Sequence, residues 1–323
     1  QFKSAIRKYW SNVHFDLVLY STPPITFEKV VRSIKKRDNA KSYLMLKDIF
    51  PQNAVDLGML QTTGVKSIIY KYFRKKEKKL YAISDHIGCM SQANVDYVIN
   101  HNPEVDPTIV EVCPNCIEVI DKSVDGETRR QIREKYGIPL NKKVFVYGGN
   151  LGKPQGIPFL IECLRKCQDI DDAFFLIVGD GTEYRLLENY VKTEKPKNVK
   201  LMKRLPKEDY DTMVGACDVG LIFLDYRFTI PNFPSRLLAY MQAKLPVLAA
   251  TDPNTDIGKV IMDGEFGWWC ESNDADKVYK IISDVSTQPL NEKGGQGYEY
   301  LKKHYSVEES YRIICNHFGG KIR

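Results

Sequence analysis

The sequence predicts an α/β protein built from two parallel-sheet domains, and three observations carry that prediction. Short apolar runs alternate with amphipathic segments over most of the 323 residues, the pattern of βαβ units. Midway, the run Val144-Phe145-Val146 ends in Tyr147-Gly148-Gly149-Asn150-Leu151-Gly152-Lys153-Pro154-Gln155-Gly156-Ile157, a strand passing through glycines into a helix. Before it lies Gly137-Ile138-Pro139-Leu140-Asn141-Lys142-Lys143, whose turn-forming composition marks a linker between two alternating series.

In chain order, an amphipathic helix at Phe2 to Trp10 comes first. A complete doubly wound sheet would open on a strand and glycine loop, so the first domain is expected to lack one or two βα units. Strands follow at Phe15 to Tyr20, Tyr43 to Leu46, Ile87 to Met90 and Ile109 to Cys113, with helices from Thr26 and Gln92 and a charged helix at Gly126 to Tyr136. The second series has strands at Val144 to Tyr147, Phe174 to Val178, Val199 to Met202, Val219 to Leu224 and Val247 to Ala250. Five parallel strands with crossover helices make a Rossmann-like domain. Pro206 followed by Glu208 and Asp209 marks one helix start, with acids at the positive end of the dipole. The expected domains are 1–137 and 138–297, with helices over 298–323.

An apolar fraction of 43% and a charged fraction of 27% are those of a water-soluble globular protein. No apolar run is long enough to span a bilayer, and Gln1 to Trp10 lacks the marks of a signal peptide, so a cytoplasmic location is expected. The cysteines read as reduced core residues; Cys113-Pro114-Asn115-Cys116 lacks the second ligand pair of a zinc site, and no metal is expected. A net charge of +6 is too mild to argue for nucleic acid.

The glycine segment reads as a phosphate cradle, because a strand ending in glycines leaves free backbone N–H groups at a helix's positive end. A Walker A loop would need glycine at Tyr147 and a hydroxyl residue at Pro154. The dinucleotide fingerprint needs a glycine spacing that Gly148, Gly149 and Gly152 do not supply. The alternative is a turn used only for packing.

Together, Gly149 to Gly156, Val178-Gly179-Asp180-Gly181, Ala216 to Gly220 and Phe233-Pro234-Ser235-Arg236-Leu237-Leu238-Ala239-Tyr240-Met241-Gln242 through Leu248 resemble glycosyltransferase family 4, the glycosyl transferases group 1. In the first domain, Lys47 to Gln52, Ser84 to Ser91 and Cys113-Pro114-Asn115 resemble a bacterial capsule and O-antigen branch that includes N-acetylfucosamine transferases.

The resemblance implies the GT-B fold, two Rossmann-like domains facing a cleft. The second would bind a nucleotide sugar, a UDP-sugar above others, with no cofactor. The first would bind a lipid-linked glycan acceptor, and the helices from Tyr298 to Phe318 would cross back to it. It also implies a retaining transfer in which N–H donors and basic side chains stabilise the departing diphosphate. Lys153 and Arg236 are the implied catalytic cations; Gly148, Gly149, Asn150, Gln155, Gly179, Gly181, Arg204, Leu205, Pro234, Ser235 and Leu237 are the implied donor contacts. A guanidinium suits a diphosphate through its bidentate fork. The alternative for Arg236 and for Lys153 is a solvated surface base.

The chain departs from the family where Asn150 and Gln155 replace the usual arginine and lysine, and where Asn232 and Ala239 replace paired glutamates. The second glutamate normally grips the donor ribose. Either another polar residue substitutes, Tyr240 and Gln242 being the candidates, or the donor is held more weakly. Asp48 is the acceptor-side candidate for orienting a hydroxyl, the alternative being a turn cap. Asp85 and His86 carry the same ambiguity.

Residues 66–81 form a basic amphipathic helix in which Ile68, Ile69, Tyr72, Phe73 and Leu80 recur among Lys71, Arg74, Lys75, Lys76, Lys78 and Lys79 around the single acid Glu77. It suits an anionic inner-leaflet surface; an ordinary solvated helix face is the bland alternative. The other functions considered are a catalytically silent nucleotide- or glycan-binding subunit, and an epimerase or phosphorylase of the same layout.

Overall fold

The computed structural model describes residues 2–318 and forms two compact α/β units. One comprises the chain up to Asn115 with 229–232 and the stretch from Glu308; the other comprises 116–228 and 233–307.

The first unit runs α1 (Phe2–Tyr9), β1 (Leu17–Thr22), α2 (Glu28–Asp38), β2 (Lys41–Leu46), α3 (Gln52–Asp56), α4 (Ser67–Ile83), β3 (His86–Cys89), α5 (Gln92–His101) and β4 (Val110–Val112). Its strands lie in the order β1-β2-β3-β4, all parallel. Tyr43, Leu44, Ile87 and Cys89 are buried because both sheet faces are covered.

In the second unit come α6 (Gly126–Lys135), β5 (Lys143–Asn150), α7 (Ile157–Lys166), β6 (Ala173–Asp180), α8 (Tyr184–Glu194), β7 (Val199–Met202), α9 (Lys207–Gly215), β8 (Val219–Phe223), α10 (Arg236–Gln242) and β9 (Val247–Thr251). They are followed by α11 (Ile257–Asp263), β10 (Gly267–Glu271), α12 (Ala275–Thr287) and α13 (Asn291–His304). The parallel order is β10-β9-β8-β5-β6-β7. The chain builds outward from β5 through β6 to β7, then crosses to β8 on β5's other side. That reversal makes the end of β5 the topological switch point, where open α/β sheets take ligands. The sheet has one strand beyond the five expected: the apolar stretch Gly267-Trp268-Trp269-Cys270 pairs with β9 as an edge strand.

The expected boundary at 137 moves to 115/116, because α6 is tied into the second unit by a buried ion pair. Arg133, 3% exposed, donates to Asp218 Oδ2 at 2.6 Å and to the carbonyls of Ala216, Pro139 and Lys142 at 2.9, 3.1 and 3.1 Å. The same Asp218 oxygen accepts the Val144 N–H at 2.7 Å, so one carboxylate joins α6, β5 and the entry to β8. Arg133→Ala is expected to cost about 2–3 kcal/mol by stripping Asp218 Oδ2 and three carbonyls of their donor while Arg129 still holds Asp218 Oδ1, read as a lower urea midpoint at unchanged slope. The tail also divides. α13 stays with the second unit, and only the chain from Glu308, within α14 (Val307–Asn316), joins the first.

Candidate functional site

A cleft of about 400 Å³ lies within the second unit, at the carboxyl ends of β5, β6 and β7. Its wall is Gly149 and Asn150 from β5, Val178, Gly179 and Asp180 from β6, Arg204 and Leu205 after β7, and Lys207 and Tyr210 on α9. Gly149, Asn150, Gly179, Arg204 and Leu205 were expected here from sequence; Asp180, Lys207 and Tyr210 were not.

Two glycines are needed for the cleft to exist. Gly149 has φ +119, open to few residues with a side chain. A Cβ on Gly148 would stand 1.7 Å from the Tyr210 hydroxyl, so only a bare backbone lets Tyr210 close that wall.

Beside Gly149 lies Arg236. Its guanidinium sits 4.3 Å over the ring of Tyr147, and its Nη2 would be 3.5 Å from a Cβ on Gly149. Its buried Nη1 has no hydrogen-bond partner among the described residues. Burial works against this charge, while the hydroxyls of Tyr147, Tyr240 and Tyr210 favour it. Burial pushes the Tyr240 hydroxyl up to about 12, and those of Tyr147 and Tyr210 upward as well, so all three are neutral at physiological pH. The arginine is therefore ringed by neutral aromatics, with a donor unused. A diphosphate satisfies both conditions, since a guanidinium offers parallel N–H groups to paired oxygens.

Several expected contacts fall elsewhere. Asn150 Nδ2 donates to Gln155 Oε1 at 3.1 Å, and the Gly152 N–H does the same at 3.1 Å. The two amides that replace the family's cations thus close the loop on itself, and Gln155 stands outside the cleft. Lys153 is exposed on the short turn that follows and is also outside it. In the turn before α7 the Pro154 carbonyl accepts the Asp225 N–H at 3.0 Å, and the cleft wall includes the end of β5 but no residue of α7. Gly181 lies past β6, its N–H bonded to Asp180 Oδ1 at 2.9 Å. Pro234 and Ser235 precede α10; Leu237 is buried and its N–H bonds the Pro234 carbonyl at 3.2 Å.

Neither expected ribose substitute can reach a ligand. Tyr240 is fully buried, accepting the Gly148 N–H at 3.3 Å and sharing its one O–H between the carbonyls of Val146 and Leu221 at 3.2 and 3.1 Å. Gln242 is buried with its amide on Glu118 O at 2.6 Å.

In the first unit, Asp48 follows β2. Both its oxygens accept from Asn53 Nδ2, at 2.8 and 3.0 Å, and its main chain meets the Thr22 hydroxyl. Burial raises this carboxyl to about 6, against the opposing pull of the Ile49 N–H and Asn53. A group poised between charged and neutral forms suits proton chemistry on a hydroxyl. Asp85 is structural, holding Lys35 at 2.6 Å and the Ser42 N–H at 2.7 Å. His86 stacks on His317 with centroids 3.8 Å apart. Among the described residues no group of three or more His, Cys, Asp or Glu could hold a metal.

The sequence signature described as "Glycosyl transferases group 1" matches residues 128–302, more than half of the chain and all of the cleft wall. The chain belongs to the group 1 glycosyl transferases. It is similar to "Probable glycosyltransferase WbjE" of Pseudomonas aeruginosa, 26% identical over 296 residues that cover 90% of this chain and 71% of that protein. It is also similar to "Putative colanic acid biosynthesis glycosyl transferase WcaI" of Escherichia coli, 24% identical over 64% of this chain and 49% of that one. The chain thus spans about half the length of this second relative. Among solved structures, Anabaena Alr3699/HepE, in complex with UDP and glucose, superposes with a TM-score of 0.76 at 16% identity, covering 99% of this chain and 81% of that one. This group 1 glycosyl transferase therefore has the GT-B fold and is a nucleotide-sugar-dependent transferase.

Proposed function

We propose that this enzyme moves a sugar, with retention of anomeric configuration, from a UDP-sugar to a lipid-linked glycan in the assembly of a surface polysaccharide such as capsule or O-antigen. An N-acetylated deoxyhexosamine is the sugar favoured by the resemblance of 47–52 and 84–91 to N-acetylfucosamine transferases. The observation that carries the reading is Arg236, whose Nη2 lies beside the cleft residue Gly149 and whose buried Nη1 lacks a hydrogen-bond partner among the described residues. UDP in the HepE complex and colanic acid in the WcaI name support the donor class and the product class.

In the proposed step the bond between the anomeric carbon and the β-phosphate oxygen breaks, and negative charge grows on the diphosphate. Arg236 stabilises that charge in place of a metal or other cofactor. The acceptor hydroxyl attacks the anomeric carbon on the same face, and its proton passes to the leaving phosphate oxygen. Asp48, clamped by Asn53, orients the hydroxyl. Incubating the protein with a panel of UDP- and GDP-sugars and a membrane extract should yield labelled, solvent-extractable lipid. Neither transfer nor donor hydrolysis across the panel would remove the enzymatic reading in favour of a silent binding subunit.

Peripheral attachment to the cytoplasmic face of the membrane is part of the proposal. α4 divides its apolar residues in two. Leu80 is buried and Phe73 packs edge-on against Phe50 at 5.0 Å, whereas Val65 before the helix and Ile68, Ile69 and Tyr72 in its first turns are exposed. Lys71, Lys75, Lys78 and Lys79 line an open groove on the next part of the same helix. Arg74 lines the same groove but is bound to Glu77 at 2.6 Å and to Asn102 at 2.7 Å, and Lys78 is paired with Glu104 at 2.9 Å, so the basic face offered to a surface is that of Lys71, Lys75 and Lys79. Aromatic and apolar tips followed by lysines suit an anionic bilayer surface, each lysine near it contributing about 1 kcal/mol. Replacing Lys71, Lys75 and Lys79 by Gln should abolish flotation with vesicles containing anionic lipid and leave UDP affinity unchanged; undiminished flotation would remove the membrane role.

A further inference from the structure

The nucleotide reading leaves the donor ribose without a holder. Position 239 is alanine, and Tyr240 and Gln242 are buried and engaged with the main chain. We propose that Asp180 grips the ribose hydroxyls of the donor and sets its preference for a ribonucleotide over a 2′-deoxyribonucleotide. This inference rests on the nucleotide assignment of the cleft and adds the residue that would discriminate within it.

The topology places Asp180 at the right station. The three strands whose ends form the cleft are consecutive in the sheet, β5-β6-β7. In the ladder Gly149 is opposite Gly179, Asn150 opposite Asp180, and Val178 opposite Met202. Neighbouring strands are about 4.8 Å apart, which is close to the step from phosphate to sugar and from sugar to base in a nucleotide. With the diphosphate at Gly149 and Arg236, and the base at Arg204 and Leu205, the sugar lies over the end of β6.

The chemistry fits the station. Asp180 is the carboxylate in this cleft wall, and its side chain is 57% exposed. Its contacts with the Gly181 N–H at 2.9 Å and with Lys203 Nζ at 3.7 Å both fall on Oδ1 and fix the plane of the carboxylate. Lys203 is itself seated over the Tyr184 ring at 3.3 Å. A carboxylate only accepts, and a ribose diol supplies paired O–H donors. Removing the 2′-hydroxyl leaves an acceptor unmatched, which is how polar sites reject analogues that lack a donor.

Calorimetry on the full chain with UDP and 2′-deoxy-UDP, repeated with GDP and 2′-deoxy-GDP, tests the assignment. For the unaltered protein, the ribonucleotide of the accepted base should bind about tenfold tighter than its deoxy analogue. Asp180→Ala and Asp180→Asn should weaken the ribonucleotide about tenfold and bring the two analogues level, with unchanged melting temperature. A ribose-to-deoxyribose ratio that survives in both variants, or is absent from the unaltered protein, overturns the role of Asp180 while leaving the nucleotide site standing. If the unaltered protein binds none of the four nucleotides, the nucleotide reading fails and the inference with it.

Discussion

Replacing Arg236 by Met is expected to weaken binding of the donor nucleotide about 30- to 100-fold while leaving the nucleotide-free protein as stable as before or more so. The two halves of that result come from one feature. Guanidinium–diphosphate hydrogen bonds are charge-assisted and bidentate, and each is stronger than a neutral bond, so losing them is felt directly in affinity. Without ligand, the guanidinium is held over Tyr147 with Nη1 buried and unmatched, a state that costs about 1–3 kcal/mol in an unsatisfied donor. Methionine fills the same channel beside the three tyrosines without that cost. Calorimetry with UDP and a thermal melt on the same sample check both. A variant that melts markedly lower would make Arg236 a structural residue packed on Tyr147, and unchanged affinity would remove it from the phosphate site. Arg236→Lys separates charge from geometry: it keeps the cation, loses the fork, and should recover only part of the affinity.

The same residue shows what can be read from the chain alone. Strands that run as unbroken apolar segments were legible nearly to the residue, as at Val219–Phe223, because burial on both faces leaves little choice of side chain. The glycines at the end of β5 were legible because backbone that must approach closely excludes Cβ atoms. Residues whose role depends on a partner far along the chain were not. Arg133 meets Asp218 across 85 positions, and nothing near either predicts the pairing that moves the domain boundary. Asn150 and Gln155 sit where cations would stand, yet amides carry both a donor and an acceptor and so satisfy each other. Tyr240 and Gln242 looked available as polar groups on a helix, but α10 is buried on more than one side, with Tyr240 against the Val146 and Leu221 carbonyls and Gln242 against that of Glu118. Asp180 was hidden for the opposite reason: an acid between glycines reads as an ordinary turn residue until the ladder shows which strand it terminates.

Asp48→Asn is expected to lower turnover by about 100-fold or more at pH 7.5 and, at that pH, to raise stability. The sign follows from its carboxyl, lifted by burial to about 6 in the folded protein from an ordinary value near 3.8. Between these values the folded state binds a proton that the unfolded state has released, so folding stability falls as pH rises through that window. Above about 6 the full penalty of a buried carboxylate is present, at most about 3 kcal/mol, because each tenfold change in proton affinity is worth about 1.4 kcal/mol. Asparagine carries no such penalty, although it gives up one of the two oxygens that Asn53 Nδ2 now meets at 2.8 and 3.0 Å. Melts of both proteins should therefore diverge at pH 7.5, with the variant higher, and converge below pH 4, where Asp48 is neutral in either state. If the carboxylate form orients the acceptor hydroxyl, kcat of the unaltered enzyme should also climb through pH 6 and then level off, while the variant stays flat. Full turnover in the variant would leave Asp48 a turn residue clamped by Asn53. A stability gap that persists at low pH would show that burial is not what perturbs it. The two readouts fail separately: the melts test the electrostatics of the site, and the pH–rate profile tests its use.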